Sequence, residues 1–460
     1  MMREQLFALL LLAAGCLARN NGVSSNLVNR EITRHIDLKT QVAHISYEYV
    51  IENTGSSAVP NFLFALESHH GKQLSFLGAT DDEKNSLKVT ENVEVQPSSN
   101  AYFARIAFAS PLAAGAKTTV TVSAVIPAIV TPFPAEITQS EKQLVRYSGN
   151  HYVLSPYATD SQTTSVELAN KNVESMSRLQ PVNVNEAKIK YGPYENVAAM
   201  ASDELSLHYE NNAPYLSIRD LDRKIEISHW GNVAVEETID MVHAGAKLKG
   251  SFSRLDFQRN PAQAAQAAVL HFKTILPATA RDVYYRDEIG NISTSHMLEK
   301  EDSVELDIRP RFPLFGGWKT HYYTGYNVPS HEYLERYGSQ YRLTMRAVDH
   351  VYDDQHVQKL TVRVILPEGA KNIKVETPYT MEQGPQTLHY TYLDTFGRPV
   401  VTLAANNLVQ DHIQDFVLTY EFDSTIMLQE PLLVVGALYL LFLVVIVYVR
   451  LDFSLKPKQA

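Results

Sequence analysis

Stretches in which apolar and polar residues alternate recur along the whole chain. One of the clearest runs from Ala43 to Ile51, in the sequence AHISYEYVI. Further stretches of this kind cover residues 119–126, 304–308, 360–366 and 416–422. A period of two is the pattern of a β-strand with one buried face, and it is typical of antiparallel sheets. The sequence therefore predicts a mainly β protein.

A single long apolar run breaks this pattern near the C-terminus. Residues 432–449 read LLVVGALYLLFLVVIVYV, and Arg450 follows them. At about 1.5 Å per residue, a helix of this length spans roughly 27 Å, which suffices for the hydrocarbon core of a bilayer. The run contains no charge, so such a helix places nothing ionised in lipid. We predict a transmembrane helix at 432–449, followed by a short cytosolic tail at 450–460.

The N-terminus predicts which way the chain crosses the membrane. Residues 1–18 combine a basic start at Arg3, a short apolar stretch and small residues before a cleavage site between Ala18 and Arg19. This is the pattern of a secretory signal peptide. The basic residues after the apolar run then lie in the cytosol, in agreement with the positive-inside rule. The expected protein is a single-pass type I membrane protein with its bulk in the lumen.

Two lysines at the end of the chain indicate a compartment. Lys456 and Lys458 stand in the sequence KPKQA, which resembles the K-x-K-x-x retrieval signal of endoplasmic reticulum (ER) membrane proteins. An ordinary basic flank of a membrane helix is the alternative.

Composition removes several classes of function. The net charge is −10, so the chain is a poor candidate for binding nucleic acid. Its one cysteine, Cys16, lies in the predicted signal peptide. The mature chain can therefore form no disulfide, thiolate metal site or cysteine nucleophile. This favours a resident protein over a disulfide-rich cell-surface module.

The lumenal part is long enough for two domains. We predict a first β-rich domain at 19–213 and a second at 214–431, arranged as two tandem β-sandwich-like units. Each opens with alternating strands and later carries an X-Pro-Tyr turn, at 155–157 and 377–379. Helices are few: one is expected to begin at Asn260-Pro261 and a short one to cover Ser330 to Tyr337.

One cluster of carboxylates and imidazoles resembles a metal site. Asp349, His350, Asp353, Asp354 and His356 lie in the sequence DHVYDDQH. These side chains include typical metal ligands. However, the cluster falls between two strand-like runs, so a turn between hairpin arms is the better interpretation. The chain contains no recognisable catalytic motif, and we expect no catalytic residue, metal or cofactor.

Asn291 is a predicted glycosylation site. Asn291-Ile292-Ser293 forms an N-x-S acceptor within the polar stretch DEIGNISTS. Such a stretch is expected at the surface of a lumenal domain. A chance occurrence of this short motif is the alternative.

The segment at 309–328, RPRFPLFGGWKTHYYTGYNV, is rich in aromatic residues and interrupted by prolines and glycines. Exposed aromatic side chains on a rigid loop often mark a docking surface. The alternative is a long loop folded over its own sheet. The candidate docking residues are Arg309, Phe312, Phe315, Trp318, Tyr322 and Tyr323.

Long strings in the second half of the chain resemble the ribophorin I family. They include TILPATARDVYYRDEIGNISTSH, RPRFPLFGGWKTHYYTGYNVPS, ILPEGAKNIKVETPY and LQEPLLVVGALYLLFLVVIVYVRLDF. The resemblance runs from the first strands through the membrane helix. It implies a non-catalytic, single-pass subunit of the ER oligosaccharyltransferase complex, which N-glycosylates nascent polypeptides.

The resemblance also implies partners. These are the polytopic catalytic subunit, the other subunits of the complex and nascent polypeptides, with the translocon as a further candidate. Many animal members continue into a cytosolic domain that contacts the ribosome, whereas this chain ends at Ala460. That ribosome contact is therefore not carried over. The competing hypotheses are an independent membrane receptor or adhesion ectodomain, and a lumenal hydrolase or transferase.

Overall fold

The computed structural model describes residues 23–24, 26–95, 101–260 and 266–451. The predicted signal peptide, its cleavage site at Ala18 and Arg19, and the terminal Lys456 and Lys458 lie outside these residues.

Strands make up most of the described chain. The strands before residue 216 are β1 (Leu27–Leu38), β2 (Val42–Asn53), β3 (Val59–Glu67), β4 (Phe76–Asp81), β5 (Val89–Thr90), β6 (Ala101–Leu112), β7 (Lys117–Pro127), β8 (Thr131–Pro132), β9 (Glu136–Ile137), β10 (Leu144–Asn150), β11 (Thr159–Leu168), β12 (Val173–Met176), β13 (Val182–Asn185), β14 (Lys188–Val197) and β15 (Glu204–Glu210).

The strands that follow are β16 (Leu216–Ser228), β17 (Asn232–His243), β18 (Lys247–Leu248), β19 (Phe272–Pro277), β20 (Arg281–Asp287), β21 (Gly290–Asn291), β22 (His296–Glu299), β23 (Ser303–Ile308), β24 (Lys319–Pro329), β25 (Leu334–Tyr337), β26 (Gln340–Arg346), β27 (His356–Ile365), β28 (Lys371–Glu376), β29 (Glu382–Gln383), β30 (Thr387–His389), β31 (Arg398–Val409) and β32 (Asp415–Glu421). Among the described residues, the α-helices are α1 (Ser68–Gln73), α2 (Arg254–Arg259), α3 (Ser330–Tyr333) and α4 (Gln429–Arg450), and 3₁₀ helices cover Gln410–His412 and Ser424–Leu428.

The predicted mainly β class is confirmed, and the alternating pattern has the expected cause. In β2, Ile45, Tyr47 and Tyr49 are buried while Glu48 between them is exposed. The predicted alternating stretches at 304–308, 360–366 and 416–422 likewise coincide with β23, β27 and β32, and their apolar side chains are buried. Burial of one strand face therefore explains the period of two in each case.

The first of two compact units contains the residues up to Tyr215, together with Ala244–Ala268 and Phe315–Gly317. Its seven-stranded sheet has the order β13-β14-β11-β1-β2-β7-β4, and a second sheet has the order β12-β15-β10-β8. Aromatic rings fill part of its core, where Tyr47 meets Phe64 with ring centroids 5.2 Å apart. The buried Tyr209 hydroxyl donates a hydrogen bond to the Leu38 carbonyl at 2.8 Å.

The second unit contains Leu216–His243, Val269–Leu314 and the chain from Trp318 onward. Its nine-stranded sheet has the order β21-β20-β24-β17-β16-β27-β31-β29, with β30 pairing to β31. A four-stranded sheet has the order β25-β26-β32-β28, and β19, β23 and β22 form a third.

The two large sheets share a strand topology. The order β14-β11-β1-β2-β7-β4 in the first unit corresponds to β31-β27-β16-β17-β24-β20 in the second. Both contain one parallel pair at the same place, β1 with β11 and β16 with β27, and the neighbouring pairs are antiparallel. Parallel pairing requires a long crossover, which the intervening strands supply in each unit.

Several local predictions were wrong. The helix predicted to begin at Asn260-Pro261 starts in residues 261–265, which lie outside the described residues, and its expected continuation through FKTIL is wrong because β19 begins at Phe272. The predicted short helix at Ser330 to Tyr337 is helical only to Tyr333, after which β25 pairs with β26. Asp353 and Asp354 do form a turn, but β26 and β27 on either side belong to different sheets and are not hairpin arms.

The predicted C-terminal helix is present as α4. It is continuous with the 3₁₀ turn before it, so that Ser424–Arg450 forms one helical segment long and apolar enough to cross a membrane. Ile426 and Met427 at its start pack against the core of the second unit, whereas its apolar window of 18 residues is not covered by other parts of the described chain. Its apolar side chains are exposed all round, which is the pattern of a lipid-facing helix.

Gly316 gives a test of packing in the first unit. A Cβ at this position would overlap the carbonyl oxygen of Ala246, a backbone atom that cannot rotate away. Gly316 also accepts a hydrogen bond from the Leu248 backbone N–H at 3.1 Å. We expect Gly316→Ala to lower the free energy of unfolding by about 1–3 kcal/mol, measured by thermal unfolding of the detergent-solubilised chain.

The matched control is Gly384→Ala, because a Cβ there makes only ordinary contacts with Thr402. Equal melting temperatures for the two variants would contradict the tight approach of Gly316 to Ala246.

Candidate functional site

The predicted glycan acceptor lies at an exposed hairpin. β20 and β21 pair through Arg286 and Asn291, and the side chains of Asn291 and Ser293 are both exposed. Asp287 closes the turn by accepting hydrogen bonds from the Ile289 and Gly290 backbone N–H groups at 3.0 and 3.1 Å. The acceptor is therefore presented on an ordered turn at one edge of the large sheet.

A residue of the aromatic segment supports this turn. The Arg311 guanidinium binds both oxygens of Asp287, at 2.7 and 2.8 Å. Hydrogen bonding from Arg311 lowers the pKa of Asp287 to about 2. The pair is exposed to solvent, so its contribution is mainly geometric.

The candidate docking residues are divided by burial. Phe315 is buried against Phe252 in the first unit, with ring centroids 5.5 Å apart. Tyr322 is fully buried in β24, between its neighbours β17 and β20. These two side chains belong to the cores and are unavailable to a partner.

The other four candidates reach the surface of the second unit. Arg309 and Phe312 are exposed, and Trp318 and Tyr323 are half-buried. Phe312 and Trp318 form an edge-to-face pair with ring centroids 5.9 Å apart. The predicted long loop is thus partly a strand, since β24 begins at Lys319. These four accessible candidates, Arg309, Phe312, Trp318 and Tyr323, are called the docking surface below.

The side chains of DHVYDDQH are engaged separately. His350 contacts Asp353 at 3.1 Å, while His356 contacts Ser217 and Asn407 at 3.2 Å each. Asp349 is fully buried and binds Arg223. Within the described chain, no three His, Cys, Asp or Glu side chains are grouped to hold a metal ion.

Arg223 is the centre of a buried charge cluster in the second unit. One guanidinium nitrogen donates to Glu237 Oε1 at 2.5 Å and to Asp349 Oδ2 at 2.7 Å. A second nitrogen donates to the Tyr326 hydroxyl at 3.2 Å, and this hydroxyl donates to Asp349 Oδ2 at 2.5 Å. All four side chains are buried, so no substrate reaches them.

One cation in this cluster faces two carboxyl groups. The pKa of Glu237 is raised to about 7, chiefly by burial; Arg223 lowers this pKa and Asp349 raises it, but burial outweighs both. Burial also raises the pKa of Tyr326 well above its ordinary value, so that the hydroxyl stays protonated and donates to Asp349. The cluster is then close to neutral when Glu237 keeps its proton, which reduces the desolvation penalty of buried charge.

A second polar network joins the second unit to the start of α4. Arg398 binds Glu430 in the first helical turn and Glu226 in β16, each at 3.1 Å. Gln429 donates to Glu368 Oε2 at 3.1 Å and to the Thr395 hydroxyl at 2.7 Å. The helix therefore starts from a bonded junction rather than from a free linker.

The first unit contains an open groove of about 850 Å³. Lys142 on its wall pairs with the buried carboxylate of Glu210 at 3.0 Å. Its other charged lining residues are Glu136, Glu141, Lys171, Glu174 and Lys249. Mixed charges suit a polar, hydrogen-bonding occupant better than a lipid chain.

Comparison with known proteins places the chain in a family. The family model described as Ribophorin I matches residues 27–449, which includes both compact units and most of α4. The chain belongs to the ribophorin I family. The resemblance found in the sequence is thereby confirmed.

Relatives of this ribophorin I family member are similar over nearly the whole chain. Dolichyl-diphosphooligosaccharide–protein glycosyltransferase subunit 1 of Caenorhabditis elegans is 43% identical over 93% of this chain and 73% of its own length. Subunits 1A and 1B of Arabidopsis thaliana are 38% and 37% identical, over 98% and 94% of this chain and 74% and 94% of their own lengths. Together with α4, these names fit a single-pass membrane protein.

The structural similarity to the following solved structure is too low to support the family assignment. Yeast LTA4 hydrolase in complex with bestatin matches 43% of this chain and 31% of its own with a TM-score of 0.29 and 8% identity. Similarity at that level carries no inference about fold or activity.

Sequence reasoning missed Arg223 and Glu237, although a signal was present. Both occupy inward positions of alternating strands, where Leu221 and Ile225 flank Arg223. Their charges are opposite, and the two residues are directly paired across β16 and β17. A charge that interrupts an apolar face, matched by an opposite charge in the next strand, indicates a buried ion pair.

The cluster predicts a pH dependence of stability. The folded pKa of Glu237 is raised above its unfolded value, so its stabilising effect is complete below about 4.5 and is lost as pH rises towards 7. Glu237→Gln does not ionise and should gain about 1–3 kcal/mol relative to the parent chain across this range. Denaturant unfolding at pH 5 and pH 8 measures the difference.

Glu236→Gln on the opposite face of β17 is the matched control, and it should keep the parent pH profile. If the stability of Glu237→Gln fell between pH 5 and pH 8 by as much as that of the parent chain, this result would contradict a protonated Glu237 in the folded state.

Proposed function

We propose that the chain is a non-catalytic subunit of the oligosaccharyltransferase complex in the ER membrane. The observation that carries this proposal is its identity of 43%, 38% and 37% with proteins named as subunit 1 of dolichyl-diphosphooligosaccharide–protein glycosyltransferase. The similarity extends across both β units and α4, so the parts that anchor and position the chain match as a set.

The contacts of the acidic residues support a non-catalytic role. Transfer of an oligosaccharide from a pyrophosphate carrier needs carboxylates grouped around a metal ion. Here Asp349 and Glu237 are buried around Arg223, and Asp353 faces His350. These side chains are occupied in structural pairs, and the catalytic step is assigned to a separate polytopic subunit.

The proposed mechanism is placement of the acceptor. A flexible nascent polypeptide held near the catalytic subunit has a raised effective concentration there. The docking surface of Arg309, Phe312, Trp318 and Tyr323 is the proposed contact with another subunit, because Phe312 is exposed and packs on the half-buried Trp318, and Tyr323 is half-buried in β24. Nascent polypeptides are the proposed substrate-side partners, with the translocon adjacent to the complex.

The proposed orientation puts both β units in the ER lumen. Cleavage between Ala18 and Arg19 and retrieval through Lys456 and Lys458 would place and retain the chain there. The exposed sequon at Asn291 is then on the lumenal side, where it is accessible for glycosylation.

Purification tests the subunit assignment. The tagged chain, isolated in mild detergent, should recover a polytopic glycosyltransferase subunit in comparable amount. The recovered complex should glycosylate an N-x-T peptide from a dolichyl-linked donor, whereas the chain alone in liposomes should not. Activity of the isolated chain would contradict the non-catalytic role, and recovery without any polytopic subunit would contradict membership of the complex.

The same purification tests the docking surface through a variant of Phe312. Phe312→Ser should lower recovery of partner subunits several-fold, because it removes an exposed ring that packs on Trp318. Phe133→Ser in the first unit, which removes another exposed ring, is the control.

Glycan analysis tests the compartment. We expect Asn291→Gln to increase electrophoretic mobility by the loss of one glycan, and the parent glycan to be sensitive to endoglycosidase H. Asn183→Gln, an exposed asparagine outside any N-x-S/T sequence, should leave mobility unchanged. A resistant, complex-type glycan would instead favour a cell-surface receptor.

A further inference from the structure

Exposed apolar side chains gather at one end of the second unit. Residues 388–396, called the juxtamembrane segment below, read LHYTYLDTF. Tyr392 is fully exposed, and Phe396 and Tyr390 are 73% and 61% exposed. Trp230, in the turn between β16 and β17, is 65% exposed. Single exposed apolar residues are ordinary, but a group of large aromatic ones marks an interaction surface.

The one acidic side chain of this segment, and a second one that contacts its backbone, are buried and paired. The Asp394 side chain is buried, binding Arg398 at 3.1 Å and the Thr391 backbone N–H at 2.6 Å. Glu368 is also buried, and one of its oxygens accepts the backbone N–H groups of Thr395, Phe396 and Gly397. The segment thus buries its one carboxylate and exposes its rings, which is the reverse of a soluble surface loop.

The backbone shape of the segment is also specified. Gly397 has a φ of +86°, which glycine adopts without strain. The ring of Tyr390 packs where a Cβ on Gly397 would lie, at 2.8 Å. The exposed rings are therefore held on a defined loop.

Hydrogen bonds and an ion pair fix this segment to the first turn of α4. Gln429 donates to the Thr395 hydroxyl, and Arg398, two residues beyond the segment, binds both Asp394 and Glu430. The apolar run begins at Leu432, three residues after Gln429, which is about 4.5 Å along a helix axis. The segment therefore lies within a side-chain length of the level at which the hydrocarbon core begins.

Strand register brings Trp230 to the same end of the sheet. Glu226 in β16 is aligned with Ile365 in β27, which is aligned with Val400 in β31. The turn after β16 and the start of β31 therefore lie at one end. Trp230 also lines a cavity together with Arg398 and Glu430.

The glycan hairpin lies at the opposite end. Through β24, β17, β16 and β27, Arg286 in β20 is aligned with Ala404 in β31. Ala404 is six residues beyond Arg398, or about 20 Å along a strand. The hairpin with Ile289 extends further in the same direction.

We propose that the juxtamembrane segment and Trp230 insert into the headgroup region of the lipid bilayer around α4. Tyrosine and tryptophan favour this region because it accommodates an apolar ring and a polar edge together. The bonded junction at Gln429 and Glu430 sets the depth of insertion. The second unit is thereby held at a fixed height and orientation on the membrane, whatever assembly the chain joins.

Photo-crosslinking in native membranes tests the occupant of this surface. Tyr392 is replaced by benzoylphenylalanine through amber suppression, membranes are irradiated, and the labelled peptide is identified by mass spectrometry. We expect a phospholipid adduct. The same probe at Leu440, exposed in the apolar part of α4, shows that lipid adducts are detectable. The same probe at Ile289, 79% exposed in the glycan hairpin, should give no lipid adduct.

Each other outcome overturns the proposal. An adduct of position 392 with another polypeptide would identify a partner subunit as the occupant in place of lipid. No adduct at 392, with a lipid adduct at 440, would show that the segment stays in water.

A second measurement reports depth in the purified full-length chain. Tyr392→Trp is placed in a background with Trp230→Phe and Trp318→Phe, which removes the two native tryptophans. The protein is placed in vesicles of phosphatidylcholine whose acyl chains are brominated near the glycerol end. The fluorescence emission of the tryptophan at position 392 should be roughly halved there, because interfacial rings lie at that level. Bromine near the methyl end of the acyl chain should quench this emission less. The tryptophan of Ile289→Trp in the same background should not be quenched by either lipid. Equal quenching of the two positions would overturn the proposed insertion.

Discussion

Each of the two β units is stabilised by the burial of alternate side chains along its long central strands. The chain after Cys16 contains no thiol, so side-chain packing and strand pairing are its sources of stability. Tyrosines suit this arrangement because the ring fills the core while the hydroxyl satisfies a backbone carbonyl, as Tyr209 does for Leu38. The two large sheets have the same strand topology, so both units arrange their central strands in the same way.

The Arg223 cluster is the clearest exception to apolar burial. A buried ion pair adds little net stability compared with apolar residues of the same size, but breaking it leaves an unpaired buried charge. We therefore interpret the cluster as a feature that fixes the register in which β16 pairs with β17. Arg223 and Glu237 are directly opposite across β16 and β17, and Asp349 meets them from outside the sheet. A slip of one residue would turn Arg223 to the other face and separate all three.

The junction with α4 relates the β structure to the membrane. Arg398 joins β16, the juxtamembrane segment and the first helical turn in one network, so the second unit is connected to α4 by more than the chain itself. The proposed placement role requires such a fixed connection, since a flexible tether would spread the position of the second unit over a large volume. In the proposed insertion, the exposed rings at this end face the membrane and the hairpin that carries Asn291, at the other end, faces water.

Local sequence determined the features that depend on local pattern. Alternation predicted β2, β23, β27 and β32, and an uncharged apolar run predicted α4, because the period and length of such patterns follow directly from strand and helix geometry. The family, too, was recognisable from the strings of residues around 274–453.

Tertiary structure alone decided which aromatic residues are accessible. Phe315 and Tyr322 belong to the same aromatic segment as Phe312, yet they are buried by Phe252 and by the strands beside β24. Asp353 and Asp354 likewise form a turn whose flanking strands enter different sheets. Burial and pairing depend on residues far away in the sequence, so a local pattern does not contain them. The sequence specified which face of each strand is apolar, and only the fold specified what covers it.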